Sequence, residues 1–295
     1  MKRTHLLTVF VLMLFALGAC SSEMPTSAEP PTESTIHVTV SVETLPPTTE
    51  PPSTEAPTEA PEPTIPSLGE PAGPRFDCFY SDELEDYLNY YVYIPEHAVE
   101  NMPLVVYLHG DGEVDKPHNL PEYGIEPLVK EIYGDDYPFI LLEPNTRIKS
   151  WTKGNIPELL IGLIDSVSEQ YRINTDKIML TGHSRGAIGV WDMISIYGNY
   201  FSAAVPVSSP HEVGHINYIK AAEVPVWTFA GDIGDTERWY HKYLAQNVDQ
   251  ITVCGGYGKF TVLKGCDHGQ AKLAAYVEET FEWMLAQQRG VIPEE

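Results

Sequence analysis

The chain predicts an α/β fold, a mostly parallel β-sheet with helices on both faces. Short unbroken apolar runs such as PLVVYLHG (103–110) and YPFILLEP (137–144) have the composition of strands buried on both sides. Longer amphipathic stretches with helical spacing separate such runs. The two kinds alternate through the second part of the chain, the order expected of parallel strands joined by crossover helices.

The first 74 residues stand apart from this pattern. Lys2 and Arg3 precede an apolar run, LLTVFVLMLFAL (6–17), and then Gly18-Ala19-Cys20. A basic start, a short apolar stretch and small residues make a secretory signal, and the run is short for a membrane span. Leu17-Gly18-Ala19-Cys20 resembles the lipobox of bacterial lipoproteins, which implies cleavage before Cys20 and a lipid on its sulfur. Residues 1–20 are therefore assigned as a lipoprotein signal peptide, with the domain held outside the cell membrane by the lipid alone. Residues 21–74 contain no Phe, Trp or Tyr and are dominated by Pro, Thr, Ser and Glu. Such a segment buries too little apolar surface to offset the entropy of ordering it. About fifty residues at about 3.1 Å each reach on the order of 150 Å, which suits a tether.

Residues 75–295 are expected to form one catalytic domain. Within it, VYIPEHAVENMP (92–103) suggests an antiparallel edge strand ahead of the first buried one. IPELLIGLIDSVSEQY (156–171) is a helix with Leu159, Leu160, Leu163, Ile164 and Val167 on one side. KIMLTG (177–182) is a strand and 185–197 a helix. SAAVPVSS (202–209) and VPVWTFAGD (224–232) are strands, a helix covers about 237–246, and KFTVLKG (259–265) is the last strand. A final helix runs from Ala271 to about Gln288.

Charge narrows the partners. With 42 Asp and Glu against 18 Lys and Arg, the formal net charge is −24, which argues against a nucleic-acid partner. Besides Cys20 the chain has Cys78, Cys254 and Cys266; Cys254 and Cys266 are available for a disulfide, and no pair has zinc-finger spacing.

The chemistry centres on Gly182-His183-Ser184-Arg185-Gly186, a G-x-S-x-G between strand and helix. In that context Ser184 is a candidate nucleophile on a sharp turn; the other role open to it is a helix N-cap. A serine needs a base to take its proton. Of the later histidines, His241 lies mid-helix, and His211 and His215 follow a strand and are candidates to line the cleft or hold a metal. His268 sits in the loop between the last strand and the last helix, where a base reaches the top of the sheet. The orienting acid is expected after the strand VPVWTFAGD, at Asp235, with Asp232 as the alternative and Asp267 a third choice. The backbone N–H of Arg185 and that of Asp111, in the HGDGE turn, are the candidate oxyanion donors. His109 and Trp151 are the candidates to line the substrate site. Trp191 and Trp239 are further candidates for an aromatic wall, although core packing is the ordinary role of tryptophan.

Together, YLHGDGE, INTDKIMLTGHSRGAIGVWDMISIYGNYFSAAVPVSS, VPVWTFAGDIGDTE and FEWMLAQQR resemble the secreted α/β-hydrolase esterases. Nearest are the predicted peptidases, polyhydroxybutyrate depolymerases and feruloyl or acetyl esterases. The resemblance implies the α/β-hydrolase fold, a serine esterase mechanism with no metal or organic cofactor, and an ester substrate, with acyl or feruloyl esters of polysaccharides among the candidates. Peptide hydrolysis and a non-catalytic binding role on the same scaffold are the alternatives. The chain departs from the family in two places. Arg185-Gly186-Ala187 stands where Met or Leu and two glycines are usual, and the acid loop is one residue longer. The Arg185 side chain, as a cation at the mouth of the site, is expected to favour acidic substrates.

Overall fold

The computed structural model describes residues 67–211 and 216–294. The signal segment, Cys20, His215 and residues 21–66 of the tether lie outside the described residues. The chain enters the sheet through an antiparallel hairpin of β1 (Gly73–Ser81) and β2 (Asp86–Ile94). β3 (Leu104–Leu108) comes next, then α1 (Leu120–Tyr123), α2 (Glu126–Tyr133), β4 (Ile140–Asn145) and α3 (Ile156–Gln170). After these come β5 (Ile178–His183), α4 (Arg185–Tyr197), β6 (Ala203–Val207), α5 (Tyr218–Ala221), β7 (Val226–Gly231) and α6 (Asp235–Val253). β8 (Gly258–Leu263), α7 (His268–Ala275) and α8 (Glu278–Ala286) complete the described elements.

The eight strands form one sheet in the order β1-β2-β4-β3-β5-β6-β7-β8. β2 pairs antiparallel with β1 and β4, and every other pairing is parallel. The alternation of side chains along β3 shows how the sheet builds its core. Leu104, Val106 and Leu108 pack on one face with Leu160 and Leu163 of α3 and Trp191 of α4. Val105 and Tyr107 pack on the other with Val129 of α2 and Phe281 of α8. Both faces are buried, which is why the β3 sequence carries no polar alternation. Each Leu or Val taken from water this way stabilises the fold by about 1.5–3 kcal/mol.

Four readings differ from the structure, the first being the antiparallel edge strand expected within 92–103: the antiparallel strand is β2, which ends at Ile94, and β1 forms the edge outside it. Packed residues lie ahead of residue 75, in the stretch expected as tether: Ser67 bridges to Val99, Leu68 is buried in the core, and β1 starts at Gly73. The apolar residue that decides this, Leu68, is too isolated to stand out beside the proline-rich stretch. The last helix is broken in two. Tyr276 is buried, its hydroxyl bonds to Thr181 of β5 at 2.9 Å, and the chain turns extended at Val277 before α8. Finally, α6 runs to Val253 and starts at Asp235, so residues expected on a loop are in its first turn.

The order of strands also locates the site. From β3 the chain steps outward to β4 and returns across β3 to β5. Adjacent β3 and β5 thus send their succeeding segments in opposite directions, opening a crevice at their C-terminal ends. Those ends carry His109-Gly110-Asp111 and His183-Ser184.

Candidate active site

Ser184 joins β5 to α4 with φ 58° and ψ −117°, a conformation a side-chain-bearing residue adopts only under constraint. The constraint is close packing. A Cβ on Gly186 would lie 1.8 Å from the Leu108 carbonyl oxygen, and one on Gly182 would lie 2.6 Å from the Gly186 carbonyl carbon. Glycine at both positions lets α4 start against β3 and forces the tight turn. Ser184 occupies the N-cap position of α4 but makes no side-chain cap bond. Its hydroxyl is committed elsewhere: Oγ lies 2.9 Å from Nε2 of His268.

His268 opens α7, where Asp267 and Gln270 form a reciprocal cap. Its carbonyl accepts a 2.9 Å hydrogen bond from Nε2 of His183, which ties the base loop to the residue before the serine. Burial pushes the His183 imidazole down to about 4, so it stays neutral in this role. Nδ1 of His268 lies 2.6 Å from Oε1 of Glu237. A carboxylate only accepts, so Nδ1 carries the proton and Nε2 is left to accept the serine hydroxyl proton.

The carboxylate behind the imidazole is therefore Glu237, not Asp235 or Asp232. Asp235 is fully exposed and pairs with Arg238 at 3.3 Å. Asp232 accepts the Gly265 N–H at 2.7 Å and pins the turn after β8. Asp267, the third choice, is the cap of α7. Glu237 is buried in the first turn of α6, and helix side chains lean towards the N-terminus. A Glu there reaches back over the end of β7. Its Oε2 accepts the Gly231 N–H at 2.7 Å and the Ser208 hydroxyl at 3.1 Å. Burial pushes the carboxyl up, but the hydrogen bonds from His268, Gly231 and Ser208 outweigh it and leave the pKa below the ordinary value. His241 completes the support, with Nε2 2.6 Å from the Gly231 carbonyl oxygen. One signal for Glu237 was present in the sequence: it heads the stripe Glu237, Leu244, Asn247, Ile251, the buried side of α6.

On the other flank, His109 and Gly110 shape the turn after β3. His109 is fully buried, not substrate-lining. Its Nδ1 lies 2.7 Å from the Gly110 carbonyl oxygen and its Nε2 accepts the Thr146 N–H at 3.1 Å, which fixes the Nδ1–H tautomer. Desolvation lowers its pKa to about 4. In the trans peptide the Asp111 N–H points opposite to the Gly110 carbonyl, away from the buried His109 ring. Trp151 is also buried, and its indole N–H donates to the His109 carbonyl oxygen at 3.1 Å. Trp191 is buried as well and donates to the Ser209 carbonyl oxygen. All three serve packing because their rings face the core under the loops, which sequence position alone does not disclose.

Asp111 and Arg185, whose N–H groups are the oxyanion candidates, are joined through their side chains. Arg185 Nε and a terminal guanidinium nitrogen meet the two Asp111 oxygens at 2.9 and 3.2 Å. The guanidinium holds the Asp111 carboxyl below its usual range. The Arg185 charge is thus matched within the site, in place of the free cation expected at its mouth. A cavity of about 340 Å³ opens beside Gly110 and His183, lined also by Tyr123, Gly269 and Lys272. His211 lies by α4, with Nε2 2.5 Å from Asp192. Cys78, Cys254 and Cys266 are all unpaired, so no Cys254–Cys266 disulfide forms.

No family model matches the chain. Over 130 residues it is 28% identical to a bifunctional acetylxylan esterase/xylanase of Neocallimastix patriciarum, a match covering 42% of this chain and 18% of that protein. A thermostable esterase superposes with TM-score 0.64 at 21% identity, over 73% of this chain and 63% of its own. A fluorophosphonate-binding serine hydrolase F of Staphylococcus aureus superposes with TM-score 0.58 at 15% identity, over 73% of this chain and 99% of its own. The chain thus spans under a fifth of the curated relative and under two thirds of the first of these structures. The likeness establishes the α/β-hydrolase fold.

Proposed function

We propose that the protein is a serine carboxylesterase whose nucleophile, base and orienting acid are Ser184, His268 and Glu237. The observation that carries this is the continuous relay from the Ser184 hydroxyl to His268 at 2.9 Å and from His268 to the buried Glu237 at 2.6 Å. Ser184 Oγ attacks the ester carbonyl while His268 Nε2 takes its proton. Charge builds on the carbonyl oxygen against the N–H groups of Arg185 and Asp111. The imidazolium, held by Glu237, protonates the leaving alcohol as the tetrahedral adduct collapses to an acyl-serine. Water then attacks that ester with His268 again as base, the acid leaves and the serine is restored.

The similarity to the bifunctional acetylxylan esterase/xylanase supports acyl esters of carbohydrate as the substrate class. Labelling with a fluorophosphonate probe tests the mechanism. The wild-type domain is expected to label and to hydrolyse short acyl esters, and Ser184→Ala to lose both, with turnover down about 10⁶-fold. A domain that never labels would leave the scaffold with a binding role. Faster release of peptides than of esters would make it a peptidase. We further propose that Cys20 carries the lipid that holds the domain at the cell surface. Palmitate labelling in cells checks this: Cys20→Ser is expected to lose the label and release the protein.

A further inference from the structure

We infer that Trp239, Tyr240 and Tyr243 of α6 form an open ledge that binds the saccharide of a carbohydrate ester, the alcohol part that leaves in the reaction. The inference rests on the esterase reading above and names the recognition that reading lacks. It begins at His268, whose side chain is 41% exposed. Because this imidazole gives its proton to the leaving oxygen, the alcohol must stand against it. Tyr240 borders it there, with ring centroids 6.2 Å apart. Its hydroxyl faces Ser209, which holds the ring at the edge of the crevice.

From Tyr240 the aromatic surface continues outward. The Trp239 and Tyr240 centroids are 5.8 Å apart, and those of Trp239 and Tyr243 are 4.3 Å apart. Trp239 and Tyr243 stand at i and i+4, so they lie one above the other on the helix surface. The Lys242 ammonium lies 5.6 Å from the Tyr243 ring, giving the ledge a polar rim. Trp239 is 52% exposed, whereas Trp151, Trp191 and Trp227 are buried. Trp239 packs on its helix neighbours Tyr240 and Tyr243 yet keeps about half its surface in water, and exposed aromatic surface of this kind marks binding sites.

The shape favours a sugar polymer over an alkyl alcohol. The cavity beside Gly110, about 340 Å³, is too small to take a chain of pyranose rings. The tilted Trp239–Tyr243 pair, with ring planes 44° apart, offers one open aromatic surface instead, on which a sugar lays its C–H face while its hydroxyls stay in water.

Two measurements test the ledge. Titration calorimetry of Ser184→Ala with xylohexaose needs no turnover, so its result is independent of the esterase reading. Binding is expected, weakened about tenfold when Trp239→Ala is added, or Tyr243→Ala in its place. In the active enzyme, kcat/KM for acetylated xylohexaose relative to ethyl acetate is expected to fall about tenfold in Trp239→Ala, through KM. Absent xylohexaose binding, binding unaffected by Trp239→Ala, or an unchanged ratio overturns the ledge. An equal fall for hexyl acetate would make it a general apolar patch and overturn the saccharide assignment. An inactive wild-type enzyme that still binds xylohexaose through Trp239 would sink the esterase reading and leave the ledge standing.

Discussion

At the scale of single residues, the carboxylate behind His268 is decided by reach. Asp235 is nearer the strand in sequence but points to solvent, while Glu237, with one more methylene and a place on the buried side of α6, touches the imidazole. Glu237→Gln is expected to cut kcat about 10⁴-fold, since the amide neither stabilises the imidazolium nor enforces the tautomer. Asp235→Asn should stay within about twofold of wild type. Steady-state kinetics on one short acyl ester compares them, and the reverse ranking would restore Asp235. His109 yields a pH prediction. Its imidazole is neutral in the folded protein, with a pKa near 4 against 6.5 as its ordinary value. Between these values the unfolded chain binds a proton that the native state does not, so His109 costs stability as pH falls through the window. His109→Gln keeps an amide to donate to Gly110 and removes that uptake. Urea unfolding from about pH 6.5 to about pH 4 should show a pH dependence flatter by about 1.4 kcal/mol per pH unit in the variant. Parallel curves would show that His109 does not titrate this way.

At the scale of elements, the elbow depends on β3, β5 and α4 meeting at bare backbone. Gly186→Ala would place a methyl 1.8 Å from the Leu108 carbonyl oxygen, an atom that cannot rotate away. The start of α4 must shift, and a loss of about 3 kcal/mol is expected from the unfolding midpoint. A near-neutral result would mean that strand and helix are less tightly joined than their spacing indicates. Helix α6 joins two jobs in one periodicity. Its buried stripe anchors the helix and delivers Glu237, while Trp239 and Tyr243 lie outside that stripe.

At the scale of the whole molecule, the residues just ahead of β1 matter. Leu68 is buried and Ser67 bridges to Val99, so these residues belong with the domain although they precede residue 75. A chain beginning at Pro61 should be more stable than one beginning at Arg75 by about 2 kcal/mol, the burial of one leucine. That corresponds to a Tm higher by about 5 °C, readable in a thermal melt. Equal melting would place Leu68 outside the cooperative unit.

Much of this protein was legible in its sequence. The apolar runs named the parallel strands from β3 to β7, because a strand buried on both faces cannot hide its composition, and KFTVLKG named β8 although it is only partly buried at the sheet edge. Ser184 and His268 were legible for a related reason: a glycine-bounded serine between strand and helix, and a histidine after the last strand, are fixed by chain order. The tertiary structure alone decided the remainder. Whether Asp235 or Glu237 meets the imidazole depends on the helix phase at Asp235. Whether Trp151 or Trp239 faces solvent depends on what packs above each ring. Chain order sets which elements exist and their succession, but the direction of a side chain is set by neighbours that become close only when the sheet is assembled.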